Sequence, residues 1–342
     1  MSRIAAHPFW LSLLLLAIAL LLSVAVGSVF IPPATALAVI QAGLAGGEIP
    51  PALAPFATIL FTLRLPRTVL VAVTGAALAG SGAAYQGLFR NPLADPYLIG
   101  VASGAGLGAV LAMSLQAQTT LLGLFAVPVA AFTGAMVTVW IVYELARVGR
   151  ALPVTNLILA GVAVSSFATA LTSYLMINAT GELRRALVWL LGGSTMSGWQ
   201  PVLAGLPYIT LGLGVLLSMG HALNVMQVGD EQAQQLGLPV ERVRAGVIIS
   251  ASLTTAAAVS FAGVIGFIGL VVPHVVRMAW GGDYKRLLPL SVLGGATLLL
   301  AADVLARVVM APQELPVGII TSLGGAPFFL WVLRRAKQQN FW

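Results

Sequence analysis

Ten apolar runs, each close to or beyond the length needed to cross a bilayer, dominate this chain: 9–31, 66–89, 96–114, 120–145, 153–178, 202–221, 245–262, 265–280, 287–305 and 317–334. In hydrocarbon every backbone N–H and C=O must find a partner within the protein, and runs of this length satisfy that demand as α-helices. A soluble fold of this size would need a charged surface, yet only 8% of residues are charged and 59% are hydrophobic. The sequence therefore predicts an all-α, multi-pass membrane bundle of about ten transmembrane helices, forming one domain over residues 1–342. The first run follows a lone Arg3, exceeds the length of a signal-peptide core and reads as the first span. The seventh and eighth runs are joined by Ser260 to Gly269, apolar throughout and rich in glycine, which predicts a tight turn or a broken helix.

The arginines orient the bundle. With ten spans and the N-terminus inside, the inner loops and tails carry Arg3, Arg90, Arg147, Arg150, Arg242, Arg244, Lys285, Arg286, Arg334, Arg335 and Lys337. Arg64, Arg67, Arg184, Arg185 and Arg307 stay outside. The positive-inside bias puts both termini in the cytoplasm and the protein in the cell membrane. Small residues mark close helix contacts: Gly100, Gly104 and Gly108 on the third span, and Gly75, Ala79 and Ala83 on the second. Between the fifth and sixth spans, Leu183 to Leu191 predicts a short amphipathic helix, re-entrant or lying on the surface.

One passage is polar. Asn224 to Arg244 holds Asp230, Glu231, Glu241, Arg242 and Arg244. Glu231 to Leu236 predicts a short helix, Gly237 its end and Pro239 the start of the next. Two short helices at a membrane face suit a handle for a soluble partner as well as they suit a solvated loop.

Whole classes of chemistry are missing. The chain has no cysteine and three scattered histidines, so thiolate chemistry and a histidine metal cluster are excluded as readings. No GxxxxGK[ST] phosphate loop occurs, nor HExxH, nor GxSxG. Asp303 is the carboxylate placed well within a span, and Arg307 follows at i+4, so a self-neutralising ion pair and a functional acid compete at that position.

With those residues placed, the chain resembles the permease subunits of the iron–siderophore, haem and cobalamin importers, from the first span to Arg335. The resemblance rests on RLPRTVLVAVTGAALAGSGAAYQGLFRNPLADPYLIGVASGAGLGA at 64–109, GDEQAQQLGLPVERVR at 229–244, GFIGLVVPHVVR at 266–277 and ELPVGIITSLGGAPFFLWVLRR at 314–335. It implies a homodimer with one pathway on the two-fold axis, two separate cytoplasmic ATPase subunits that hold ATP and Mg, and a periplasmic or lipid-anchored binding protein. The chain itself would bind no cofactor or metal, catalyse no reaction and contact no nucleic acid. Asp230, Glu231, Ala233, Leu236 and Gly237 fall in the family's coupling loop, with Gln232 replacing a usual alanine. Arg64, Arg67 and Arg307 fall where relatives present basic residues to the binding protein. Asn91 and Leu93 match a cytoplasmic gate, to which Val154 and Thr155 belong by position, although valine stands where the cobalamin importers place a polar residue.

The implied function is alternating-access import of a metal chelate (ferric siderophore, haem or cobalamin), driven by the partner's ATP cycle. The other readings are an ion-gradient-driven transporter of a small organic solute and a membrane-embedded enzyme or receptor. Tyr174, Met176 and Met196 are candidates for the pathway and equally for packing.

Overall fold

The computed structural model describes residues 7–27, 31–44, 50–116, 123–149, 151–178, 182–193 and 197–338. Its helices in chain order are α1 (Pro8–Ala25), α2 (Pro33–Leu44), α3 (Ala54–Thr58), α4 (Leu65–Leu88), α5 (Val101–Ser114), α6 (Ala126–Ala146), α7 (Val154–Asn178) and α8 (Leu183–Leu190). There follow α9 (Gln200–Ser218), α10 (Gly220–Met226), α11 (Asp230–Gln235), α12 (Val240–Ala262), α13 (Ile268–Trp280), α14 (Tyr284–Val308) and α15 (Val317–Gln338). A π-helical stretch, Ile59–Arg64, leads from α3 into α4.

Seven spans, built on α1, α4, α6, α7, α9, α12 and α14, are long and apolar enough to cross a membrane, and α5, α13 and α15 are shorter apolar helices. Together they match the ten apolar runs, and the chain is a multi-pass membrane protein. Burial in α1 is inverted relative to a soluble protein. Ser12, Ala19 and Ser23 face the bundle, while Trp10, Leu13, Leu14, Leu21 and Leu22 face outward. A helix with its polar side chains inward and its leucines outward has lipid for a solvent.

Small residues set the helix crossings. A Cβ on Gly75 would strike the Gly295 carbonyl, and one on Gly295 would strike the Gly75 carbonyl, so α4 and α14 meet backbone to backbone. Gly82 meets Gly269 in the same way, joining α4 to α13. Gly104 lies against Gly134 and Thr138, and Gly108 against the Ala130 carbonyl, so the expected ridge on α5 packs on α6. Gly100 differs from its neighbours on that ridge: its φ is +87°, and it caps the start of α5.

Helices α5 and α13 are short for a physical reason that apolarity alone does not reveal. Each begins inside the bundle after a break in regular helix: irregular backbone at 91–95 and the short 3-10 helix Pro96–Ile99 before α5, and unwound backbone at 263–267 before α13. Gly269 lies against the Leu78 carbonyl, in the middle of α4, and against Pro96. The two breaks satisfy each other there. Tyr97 Oη donates to the Ile265 carbonyl at 2.8 Å and accepts from the Ile265 N–H at 3.2 Å. The Trp189 carbonyl, at the end of α8, accepts from the Val264 N–H at 3.4 Å. Ala186 and Trp189 are buried while Leu183 and Leu187 are exposed, so α8 is amphipathic, with one face packed on the bundle.

Removing the Tyr97 hydroxyl should leave both Ile265 backbone groups unpaired in an apolar interior. Tyr97→Phe is expected to cost about 1–3 kcal/mol, read as a lower thermal midpoint of the purified protein in detergent. An unchanged midpoint would mean that another group pairs with Ile265.

Two elements depart from the sequence reading. The first span ends at Ala25 rather than running on to residue 31. Helix α2, too short to cross a bilayer, lies between the first two apolar runs where only a connection is expected, and it packs through Val39 against Ala57 and Leu60.

Candidate coupling and docking sites

Helix α11 begins with two carboxylates, Asp230 and Glu231, in its first turn, where the unpaired N–H groups favour negative charge. Gly237 ends it with φ +84°. The Leu238 N–H reaches the Ala233 carbonyl at 3.0 Å and the Gly237 N–H reaches the Gln234 carbonyl at 2.9 Å, the paired bonds of a glycine-terminated helix. Helix α12 then starts at Val240 with Pro239 before it. This is the arrangement that the residues of the polar stretch predict.

One face of α11 is fixed and the other is bare. Ala233 is fully buried, whereas Leu236 is 71% exposed; Glu231 is exposed as well. The fixed face is anchored by charge. Asp230 accepts from Arg90 at 3.0 Å with one oxygen and from Arg244 at 2.6 Å with the other. Arg244 is buried and also donates to Glu241 at 2.6 Å. Behind them, Gln227 donates to the Gly87 carbonyl at 3.0 Å, joining the end of α10 to the end of α4. Asn224 donates to Asp283 at 2.6 Å and accepts from the Tyr284 N–H at 2.8 Å, which pins α10 to the start of α14. The Asn224 amide, with the Lys285 N–H, holds the Asp283 carboxyl below the usual range.

At the opposite end of the bundle lies a second charged cluster. Asp303 is only 1% exposed. It accepts from Arg67 Nε at 3.0 Å and Nη2 at 2.9 Å, and pairs with Arg307 at 3.0 Å. Arg67 also reaches Glu314 at 2.5 Å. Arg307 donates to the Ser23 carbonyl and hydroxyl, both at 3.1 Å, while Arg64 donates to the Val24 and Ala25 carbonyls at 2.8 and 3.0 Å. Two arginines thus close the C-terminal end of α1, where unpaired carbonyls favour cations. The ion pair at Asp303 and Arg307 is present, extended by Arg67 and Glu314.

This placement separates the three arginines. Arg64 and Arg307, expected at a docking face, are buried and committed to internal partners. Arg67 reaches the surface, with its side chain 37% exposed beside Glu314 at 41%. Arg64 and Arg307 are turned inward because their guanidiniums pair with the carbonyls at the end of α1.

The gate candidates lie on two neighbouring elements. The exposed Asn91 accepts the Leu93 N–H at 2.9 Å, which fixes the turn after α4. Val154 opens α7 and packs on the core, with Thr155 exposed beside it. Gly161, about two turns further along α7, lies against the Leu98 carbonyl. Tyr174 is exposed and Met176 packs against the core. Met196 lies outside the described residues.

Sequence alone does not single out Arg90, Gln227 or Glu314 as site residues. Arg90 reads there only as an inner-loop charge, and Glu314 lies too far along the chain from Arg67 for any local pattern to pair them.

Comparison with known proteins fits this geometry. A profile of the FecCD transport family matches residues 15–335. The chain belongs to the FecCD transport family. A cobalamin import system permease protein, BtuC, from Halobacterium salinarum is 48% identical over 276 residues, covering 81% of this chain and 73% of the relative. A hemin transport system permease protein, HmuU, from Yersinia pestis is 43% identical over 287 residues, covering 82% and 85%. Among solved structures, an inward-facing conformation of a metal-chelate type ABC transporter is 30% identical, with a TM-score of 0.83 over 95% of this chain and 98% of that one.

Proposed function

We propose that this chain is the membrane-spanning permease subunit of an ATP-driven importer of metal chelates, working as a homodimer with two cytoplasmic ATPase subunits and an external binding protein. ATP and Mg belong to the ATPase, and the permease contributes conformational change rather than chemistry. The observation that carries the reading is α11, a short helix locked to the bundle through Ala233 and Asp230 while it presents Glu231 and Leu236 to solvent. An apolar side chain held out on a rigid, charge-anchored helix suits insertion into a groove on a partner.

With α11 on the cytoplasmic side, the Arg67–Glu314 cluster faces outward, and Arg67 is the arginine placed to meet an acidic binding protein. Such a pair steers docking and register more than it adds affinity. Helices α7 and α15 expose Leu159, Phe167 and Leu323, Leu330 respectively. These faces suit a second copy of the chain, with the pathway between the two. The named relatives are permeases for cobalamin and hemin at comparable identity, so the cargo is read as a class, bulky metal chelates.

Leu236→Asp tests the docking role, because this side chain is largely outside the packed interior. The variant is expected to reach the membrane at the wild-type level and to lose the ATPase during affinity purification, with binding weakened by about tenfold or more. Full retention of the ATPase would contradict the role given to α11.

A further inference from the structure

Arg90 occupies a position where a side chain is unfavourable. Its N–H reaches the Gly87 carbonyl at 3.3 Å and the Asn91 N–H reaches the Gln86 carbonyl at 3.1 Å, so it ends α4 in the same manner as Gly237 ends α11. The residue at that point has φ +49°, in the left-handed region where glycine is the usual choice. A residue standing against backbone preference points to work done by its side chain. Here the guanidinium holds Asp230, the first residue of α11, at 3.0 Å.

The segment directly after Arg90 gives that bond its meaning. Asn91 and Leu93 come next, in a turn closed by the Asn91 side chain. Pro92 stiffens the irregular backbone of 91–95, and Pro96 opens the 3-10 helix Pro96–Ile99 that carries Tyr97 into the bundle. There Asp95 accepts the Tyr97 N–H at 2.8 Å, and the Tyr97 hydroxyl grips the break between α12 and α13 at Ile265. One short, proline-stiffened strip of backbone thus runs from the docking helix to the unwound middle of the bundle. Its lower end is joined to α11 by a charged hydrogen bond. A second tether, from Gln227 to Gly87, holds α10 against the end of α4 but not against this strip.

We propose that the Arg90–Asp230 pair is the joint through which movement of α11 reaches the gate segment 91–97 and the Ile265 break, with Arg90 as a positioning residue. Arg244, buried on the other oxygen of Asp230, keeps that carboxylate aligned as α11 moves. This inference rests on the reading of α11 as the ATPase-docking helix. It adds that docking alone is insufficient, because without Arg90 the partner's stroke reaches α12 through Arg244 but is not passed to the 91–97 segment.

Arg90→Gly separates this from a structural role. Glycine relieves the left-handed backbone, so the variant should fold at least as well as wild type by thermal midpoint. The test uses the permease copurified with its ATPase, reconstituted with its binding protein, and measures ATP hydrolysis together with uptake of whichever of labelled haem, a ferric siderophore or cobalamin the wild-type assembly imports. The expected result is that Arg90→Gly keeps the ATPase bound and hydrolysing, while chelate imported per ATP falls by about tenfold. Arg90→Lys, which restores a cation at slightly shorter reach, should recover part of that loss. Uptake per ATP at the wild-type level in Arg90→Gly would overturn the proposal, as would equal loss in the glycine and lysine variants. If instead the wild-type permease brings no ATPase with it, the docking reading itself fails, an outcome distinct from either of these.

Discussion

Gly82→Ala is expected to leave little folded protein in the membrane. The added methyl would occupy the space of the Gly269 carbonyl and Cα, so backbone meets side chain with no rotamer that relieves the overlap. Overpacking a core by a methylene costs about 1–3 kcal/mol when side chains can shift, and here the obstacle is the first turn of α13. Moving α13 would pull on Gln86, whose amide donates to the Gly269 and Leu270 carbonyls at 3.4 and 3.3 Å, and on the nearby Tyr97 contact. Gly214→Ala in α9 is the control. Nothing lies within 4 Å of its Cβ position, so the exchange should be neutral or stabilising by up to about 1 kcal/mol from helix propensity alone. Membrane yield and thermal midpoint of the two variants, measured side by side, check the claim, and similar values would show that α4 and α13 have room to part.

Asp303→Asn is the second large effect. The carboxylate is buried and answers two arginines, Arg67 and Arg307. Neutralising it leaves cations in the packing of α1, α4 and α14 without their counter-charge, and breaking a buried pair from one side costs about 3–5 kcal/mol. Glu314→Gln removes the other carboxylate from Arg67 but acts at the surface, where an ion pair contributes about 0–1 kcal/mol. The expected outcome is a steep loss of thermal stability for Asp303→Asn and almost none for Glu314→Gln. Comparable losses would mean that the cluster is more hydrated than its burial implies. The comparison also bears on mechanism, since a proton-carrying acid would lose gradient-driven uptake on substitution while the fold survived.

The parts of this molecule visible from sequence are those governed by local rules. Spans follow from apolar length, and Gly237 ends α11 because glycine alone enters the left-handed region without strain. The Asp303–Arg307 pair is readable because residues four apart share a helix face. The hidden parts depend on tertiary contact or on competing signals. The unwound segment before α13 is as apolar as the helices it separates, so hydropathy runs through it, although the glycines of 260–269 do mark it; before α5, hydropathy counts the 3-10 helix Pro96–Ile99 as the start of a span. Glu314 and Arg67 meet across 247 positions of sequence. Arg90 looks like an ordinary inside-positive charge, and only its backbone angle distinguishes it. The burial of Arg64 and Arg307 is masked by the same generality, since an arginine near a span end reads as an interfacial anchor until the end of α1 is seen to cover it.

Co-reconstitution decides the central claim most directly. The permease, copurified with its ATPase, would be placed in liposomes with the binding protein outside, and uptake of labelled haem, a ferric siderophore and cobalamin would be followed with ATP enclosed or omitted. The account predicts accumulation of a chelate only when ATP is enclosed, abolished by Leu236→Asp. Uptake that ignores ATP and follows a proton or sodium gradient would contradict it.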